Sequence, residues 1–591
     1  MKRHNLIRLT SSLATLAVAW TLAAPVGAQG GSSKSSGKIV LNIVDPPGVG
    51  FNDPTPVSSV GRNRGKTLGE QRRIVFQTAA SIWQATLNPN VDIVIQSSFS
   101  PLPCTAASGV LGAAGTIQIF ANFPDAEWPS TWYHSALANH LAGEDLTPGP
   151  FDPGLLQPPF NDDIVAFFNG DIGVNPNCLT GLNWYNGLDN KAPGNTLDLL
   201  NVVLHEFGHG LGFANFIDDA SGAAPLGLPD IYTVFSRDNT TGLYWNQMDK
   251  QQRSASAVHT GNLAWRGPTV FEKAPDFLGP KPIVRVFADP DVDLEAQAAS
   301  FGAPLKLPPG VSGQVVLYND GVGPDPNDAC NCPFVGPCLS SAPLDPNVAG
   351  KIALINRGSC TFALKTAVAQ LAGAIGVVIT NNQPSGLPSM GGSDLVSPDI
   401  PAVGISRNDG NFLKANLGVD ASITVDPSLL GGADSLGFPR LYAPNPVEPG
   451  SSVSHWDITL TPNALMEPFL NTDLKGARTL DLTPAQMTDI GWKDGPHCPV
   501  GSDDRPTVAV GGCSTGAFND FGPFGFTLGA TSGNSSGANA NGGCFIQDMV
   551  NACVLQGGSR TKSCIEHTTS YLVSIGVITN GESQAIKNCV K

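Results

Sequence analysis

Charge is scarce in this 591-residue chain: 14% of it is Asp, Glu, Lys or Arg, with 33 basic residues against 49 acidic ones. The resulting net charge of -16 repels phosphate backbones and anionic lipid, so nucleic acid and charged membrane surfaces are poor partners. Long apolar runs are missing too. Past the N-terminal end nothing approaches the roughly twenty apolar residues of a membrane-crossing helix, so no membrane span is expected. No cysteine follows the apolar stretch near the N-terminus, which argues against a lipid anchor.

Glycine (67) and proline (49) are plentiful, and with so little charge they indicate a loop-rich exported protein rather than a helical cytosolic one. The N-terminus reads as a signal peptide over 1–28. Lys2, Arg3 and Arg8 form the basic start, "LATLAVAW" and "TLAA" the apolar core, and Val26, Gly27 and Ala28 the small residues before a mature start near Gln29. A secreted protein, extracellular or periplasmic, is expected. Its twelve cysteines then favour disulfides, and they fall in even groups: Cys104 and Cys178; Cys330, Cys332, Cys338 and Cys360; six beyond residue 497. Pairing within each group is expected, and an oxidising compartment disfavours reading "CNCPFVGPC" (330–338) as a metal site.

After a Gly/Ser-rich linker (30–37), "KIVLNIV" alternates as a strand does, and 68–87 carries apolar residues at helical spacing with no breaker. "VDIVIQSSF" and "TIQIFANF" read as further strands, the stretch 116–122 being the candidate edge strand that would align an extended peptide. "LDLLNVVLHEFGHGLGF" (197–213) is apolar almost all round, as a helix through the middle of a domain would be. Two histidines and a glutamate in such a helix are costly unless something binds them. His205 and His209, one turn apart, lie on one helix face with their Cβ atoms about 5–6 Å apart, close enough to share one metal. Glu206 beside them can deprotonate a water that the metal acidifies. Catalytic zinc usually takes three protein ligands. Gly212 lets the chain turn after the helix, and the third ligand is open among Asn215, Asp218, Asp219, His259 and His455. Asn is a weak zinc ligand, the two aspartates lie beyond the usual offset, and His259 sits in polar loop text that reads as solvated surface.

From about 285 to 430 the texture changes. "GKIALINRGSCTFALKTAVAQLAGAIGVVITNN" (350–382) reads as strand, turn, helix, strand, and "SPDIPAVGIS" (397–406) adds a strand. Arg357, Gly358, Cys360, Phe362, Lys365, Ala374 and Gly376 stand in the order of the protease-associated (PA) domain signature, which this stretch of roughly 140 residues resembles. That resemblance implies a lid, adaptor or substrate-steering module without catalysis, and no zinc ligand from it. Periodic structure is expected to resume at 453–471, and 480–492 ends in a short helix. Residues 497–543 are Gly/Ser/Asn-rich linker, and 544–591, with helical spacing and four cysteines, read as a small stapled helical module.

The histidine residues also carry a resemblance. Leishmanolysin-like metzincins interrupt their zinc motif after H-E-x-x-H-x-x-G and supply the third histidine later, in an S-H-W-type segment followed by a Met-turn. His205, Glu206, His209 and Gly212 match the first half, His455 ("SHWD") and Met466 ("ALMEP") the second, and "LDLTPAQMTDIGW" resembles the closing pattern. The arrangement resembles secreted PA-containing zinc peptidases of bacterial type. It implies Zn2+ on His205, His209 and His455, Glu206 as general base and Met466 as an apolar floor. Two features depart from the family: an insertion filled by the PA domain, and no cysteine for a cysteine-switch prodomain between the leader and the first strand.

The expected fold is therefore α+β. A metzincin-like zincin domain, with a twisted sheet and an active-site helix (29–284 and 431–496), is interrupted by an α/β PA domain (285–430). The 497–543 linker and a small disulfide-rich α-helical module (544–591) follow. The expected function is a secreted zinc endopeptidase acting on protein or peptide substrates. The competing readings are a non-catalytic, zinc-stabilised adhesin or binding protein, against which Glu206 argues because a structural site needs no base, and a non-peptidase hydrolase.

Overall fold

Thr67 and Glu70 cap each other's backbone at the start of α1 (Leu68–Leu87), a capping box that nucleates the helix where the apolar spacing puts it. The computed structural model describes residues 7–10, 37–146, 162–330, 344–391, 397–471 and 473–492. Beyond these it describes the short stretches 507–510, 513–518, 521–522, 544–547, 550, 553, 558–574 and 578–590. The leader expected over 1–28 lies outside the described residues except for Ile7–Thr10, which form strand β1. With β2 (Ile39–Ile43), β3 (Ile93–Ser100), β4 (Gly109–Thr116) and β7 (Ile164–Asn169) it makes one sheet in the order β1-β4-β7-β3-β2. The β2, β3 and β7 strands are parallel to one another, β4 is antiparallel to β7, and β1 lies parallel along the outer side of β4.

The sequence expectation at 116–122 is corrected here. β4 ends at Thr116, and beyond it only Ile119–Phe120 (β5) is a strand in that stretch, pairing with Tyr133–His134 (β6) rather than with the sheet. The strand between β1 and the rest of the sheet is "GVLGAAGT". It lacks the β-branched alternation by which strands are recognised. Its small residues instead let a helix pack closely on it: a Cβ on Gly112 would stand 2.7 Å from Glu206 Cγ.

That helix, the next after the short α2 (Ser135–Ala142), is α3 (Leu199–Leu211), buried along its whole length, with the Asp198 carboxylate accepting the Asn201 N–H at its start. Its apolar circumference follows from its position between the sheet and α1, where no face meets water. Two short pairs flank it: β8 (Asn183–Tyr185) with β9 (Thr196–Asp198), and β10 (Ser236–Asp238) with β11 (Leu263–Trp265). One apolar core joins residues from 39–278 with residues from 433–492. Between them, β12 (Pro280–Val286), β13 (Val292–Ala298), β14 (Val311–Leu317), β15 (Ile352–Asn356), β16 (Gly376–Thr380), β17 (Ala402–Ile405) and β18 (Asp420–Leu430) close into a barrel. The barrel has two apolar clusters of its own. The expected βαβ unit is there, with β15 and β16 parallel on either side of the helix Phe362–Leu371.

The segment 453–471 is irregular rather than periodic: its backbone bonds run partly to neighbouring loops, as Asp457 N–H to Arg440 O, and partly across its own turns, as Trp456 N–H to Met466 O. The C-terminal end also differs from expectation. Within the supposed linker, Thr507–Val510 pairs antiparallel with Cys513–Phe518, and Cys513 is disulfide-bonded to Cys589 after the helix Asn580–Asn588. Cys104–Cys178 and Cys330–Cys360 form the other bridges seen, each within its expected group. Cys332 and Cys338 lie outside the described residues. Among the described residues no helix is long and apolar enough to cross a membrane.

Candidate metal centre

Three imidazoles converge on one point. His209 Nε2 lies 2.9 Å from His205 Nε2 and 3.2 Å from His455 Nε2, and His455 Nε2 is 3.2 Å from His205 Nε2. All three side chains are fully buried. Each ring's other nitrogen faces a backbone carbonyl at 2.7 Å: His205 Nδ1 the Leu465 oxygen, His209 Nδ1 that of Phe213, His455 Nδ1 that of Ser451. A carbonyl can only accept, so each Nδ1 carries the proton and each Nε2 presents a lone pair. Burial and the mutual proximity of the rings hold the His205 and His455 pKa values well below the ordinary histidine range, and burial lowers His209 to about 4. Three neutral nitrogens with lone pairs facing one another repel unless a cation lies among them. Tetrahedral zinc at 2.0–2.1 Å from each would want N···N spacings of about 3.3–3.4 Å, close to those observed. The residues fit a divalent transition metal.

Glu206, one residue after His205, is fully buried, and neither carboxylate oxygen has a hydrogen-bond partner among the described residues. Burial pushes its pKa well above the ordinary carboxylate range, with the Ala114 amide of β4 near enough to pull modestly the other way but not to bond. A carboxyl poised to take up a proton, next to a metal-fitting nitrogen triangle, is the pairing that general-base chemistry uses. Met466 lies beneath. Its sulfur would stand 2.8 Å from a Cβ on Gly208, so the glycine in the middle of the motif is what lets the thioether reach the helix. Trp456 N–H donates to the Met466 carbonyl (2.8 Å), joining the His455 segment to the methionine turn.

Of the five residues considered as third ligand, the structure brings only His455 to the pair. Asn215 instead gives both its backbone N–H and its side-chain amide to Ser454 Oγ, each at 3.1 Å, and so anchors the residue next to His455. Asp219 accepts weakly from Asn215 (3.4 Å), and Asp218 caps the turn at Ser221. His259 is not solvated surface: it is partly buried and paired through Nδ1 with the buried Asp238 carboxylate. A long apolar motif gave no hint of Ser454, of Tyr232, whose hydroxyl donates to the Val453 carbonyl (3.0 Å), or of Asp481, which accepts the Leu465 N–H. Their work is to position backbone, and polar residues that brace loops have no fixed spacing to read. The closing pattern braces α3 as well. Trp492 Nε1 donates to Leu211 O (2.9 Å) at the helix end, and Asp489 accepts from Trp265 Nε1 (2.9 Å) and the Thr269 N–H (2.7 Å).

Residues 311–413, inside the barrel, match the PA domain family. The C5a peptidase of Streptococcus pyogenes is 41% identical over 95 residues, which is 16% of this chain and 8% of that protein. Leucine aminopeptidase 2 of Trichophyton equinum is 33% identical over 122 residues, 20% of each. The match thus spans no more than a fifth of these curated relatives. Among solved structures, a zinc aminopeptidase from Bacillus subtilis aligns at 23% identity over 27% of this chain and 36% of its own, with a TM-score of 0.19.

Proposed function

We propose that this mixed α and β protein with a PA domain is a secreted zinc endopeptidase built on a metzincin-like fold of leishmanolysin type. The observation that carries the reading is the triangle of three buried Nε2 atoms, each ring fixed by a backbone carbonyl, beside the buried Glu206 carboxylate. His205, His209 and His455 would hold the ion, and zinc there supplies Lewis-acid polarisation of a carbonyl and acidifies water. Glu206 accepts a proton at its carboxylate and passes it to the departing amine. The outer side of β4 supports an extended substrate, since a stretch of the chain itself, Ile7–Thr10, already pairs along it over the active-site helix. A strand edge that runs past the carboxylate supports cleavage within a chain rather than at its end. Disulfides support an oxidising compartment, and peptidases among the relatives support protein or peptide substrates.

The test compares purified wild type with Glu206→Gln and His455→Ala. Glu206→Gln should keep its zinc and its fold while casein or peptide hydrolysis drops by orders of magnitude. His455→Ala should lose zinc, whereas Asn215→Ala and His259→Ala should retain it. Undiminished proteolysis in Glu206→Gln, or wild-type zinc content in His455→Ala, sinks the reading.

A further inference from the structure

After β18 the chain leaves the barrel, and residues 439–442 settle between two other backbones. On one side Trp265 N–H donates to Pro439 O and Leu441 N–H to Leu263 O, both at 2.9 Å. On the other, three bonds bracket His455: Asp457 N–H to Arg440 O (2.9 Å), Tyr442 N–H to His455 O (2.9 Å) and Val453 N–H to Tyr442 O (2.7 Å). The residues that hold the third histidine's backbone are therefore Arg440 and Tyr442. Their side chains lead back to the barrel. Arg440 Nη1 lies 2.6 Å from Glu295 Oε1 on β13, and Lys281 Nζ of β12 lies 3.2 Å from the same oxygen. The Tyr442 phenol is within electrostatic reach of the Arg357 guanidinium on the turn after β15. Arg440 is nearly buried, with 12% of its side chain exposed, so it cannot turn to water if Glu295 is lost.

We propose that the barrel positions the third histidine, with Glu295 acting through Arg440 as the positioning residue for His455. This rests on the zinc reading above. The barrel supplies no ligand. It fixes the main chain that presents one, which gives the insertion between the two halves of the site a physical purpose. Partners one shell out from a ligand commonly change metal affinity 10–100-fold when removed. A neutral glutamine at 295 removes the nearest carboxylate from the buried guanidinium, leaving it the charges of Asp457 and Asp434, and lets the 440–442 segment, and His455 with it, shift.

The experiment measures zinc affinity of the full-length protein by chelator competition, together with the visible spectrum of its cobalt(II) form. Glu295→Gln should weaken zinc by about 10-fold and alter the cobalt bands. Arg440→Gln should do the same, and the double variant should cost no more than either single one. Arg285→Gln removes a solvent-facing pair with Asp293 on the same two strands (2.6 Å) and should leave both readouts at wild type. Glu295→Gln within twofold of wild type, additive single costs, or an equal loss in Arg285→Gln each overturns the proposal. If Glu295→Gln does not fold, Glu295→Asp, one methylene short, replaces it, and wild-type affinity in that variant is equally fatal. His455→Ala separates the two levels. Should it keep zinc, the zinc reading itself fails; should it lose zinc while Glu295→Gln binds normally, only the positioning role falls.

Discussion

Gly112 and Gly208 are small for opposite reasons around one helix. Gly112 makes room on β4 for the Glu206 side chain, and Gly208 makes room on α3 for Met466. A methyl at 112 would press on Glu206 at Cγ and at Oε1 (2.8 Å), and β4 backbone cannot yield without disturbing its pairing with β7. Gly112→Ala is expected to keep zinc and lose at least about 10-fold in hydrolysis, since a displaced proton acceptor costs general-base catalysis of that order or more. Unchanged turnover with normal zinc content would show that the carboxylate position tolerates the methyl. Met466 is fully buried, and Met466→Ala should cost about 2–5 kcal/mol of stability by denaturant titration, while Met466→Leu should cost little. At this scale His205, Glu206 and His209 were legible because the ligand types and their four-residue spacing are written locally. The carbonyls of Leu465, Phe213 and Ser451 that set each tautomer were not, since any residue supplies a carbonyl.

Among the elements, β7 begins at a buried acid with consequences for pH. Burial raises the Asp163 pKa to about 7, while its carboxylate accepts the Val94 N–H (2.9 Å) and the Asn139 amide (2.7 Å). Its folded pKa lies above the unfolded value near 3.8, so the folded state binds the proton more tightly. The associated stability is complete below about pH 4 and is lost as pH rises through about 7, at most about 4 kcal/mol. Thermal midpoints should fall over that window in wild type, and the Asp163→Asn variant should show a shallower slope; parallel slopes would refute this assignment. Helix α1 was readable from its apolar period and α3 from a run apolar almost all round; their caps came only with the structure. Strand β4 was not, because its composition answers to the helix packed on it rather than to strand propensity.

Across the whole molecule, the barrel holds two apolar clusters apart from the core that encloses the histidines. Chelation should therefore act unevenly. At zinc a thousandfold above its dissociation constant, removal costs about 4 kcal/mol, or about 10 °C in the transition of the histidine core. The barrel's transition should move far less, and calorimetry with and without chelator reads both; equal shifts would mean a single cooperative unit. The sequence by itself determined the pieces whose signals are local: the zinc-type helix, the PA-like βαβ unit, the grouped cysteines and the closing Asp-x-Gly-Trp pattern. The resemblance of its segment pointed to His455, but only the tertiary structure decided how it meets His205 across 250 residues, that Asn215 tethers Ser454, and that Arg440 reaches the barrel. Local pattern constrains a residue's own turn of chain, whereas loops closed through long insertions are fixed by packing and by hydrogen bonds to partners that share no spacing with them.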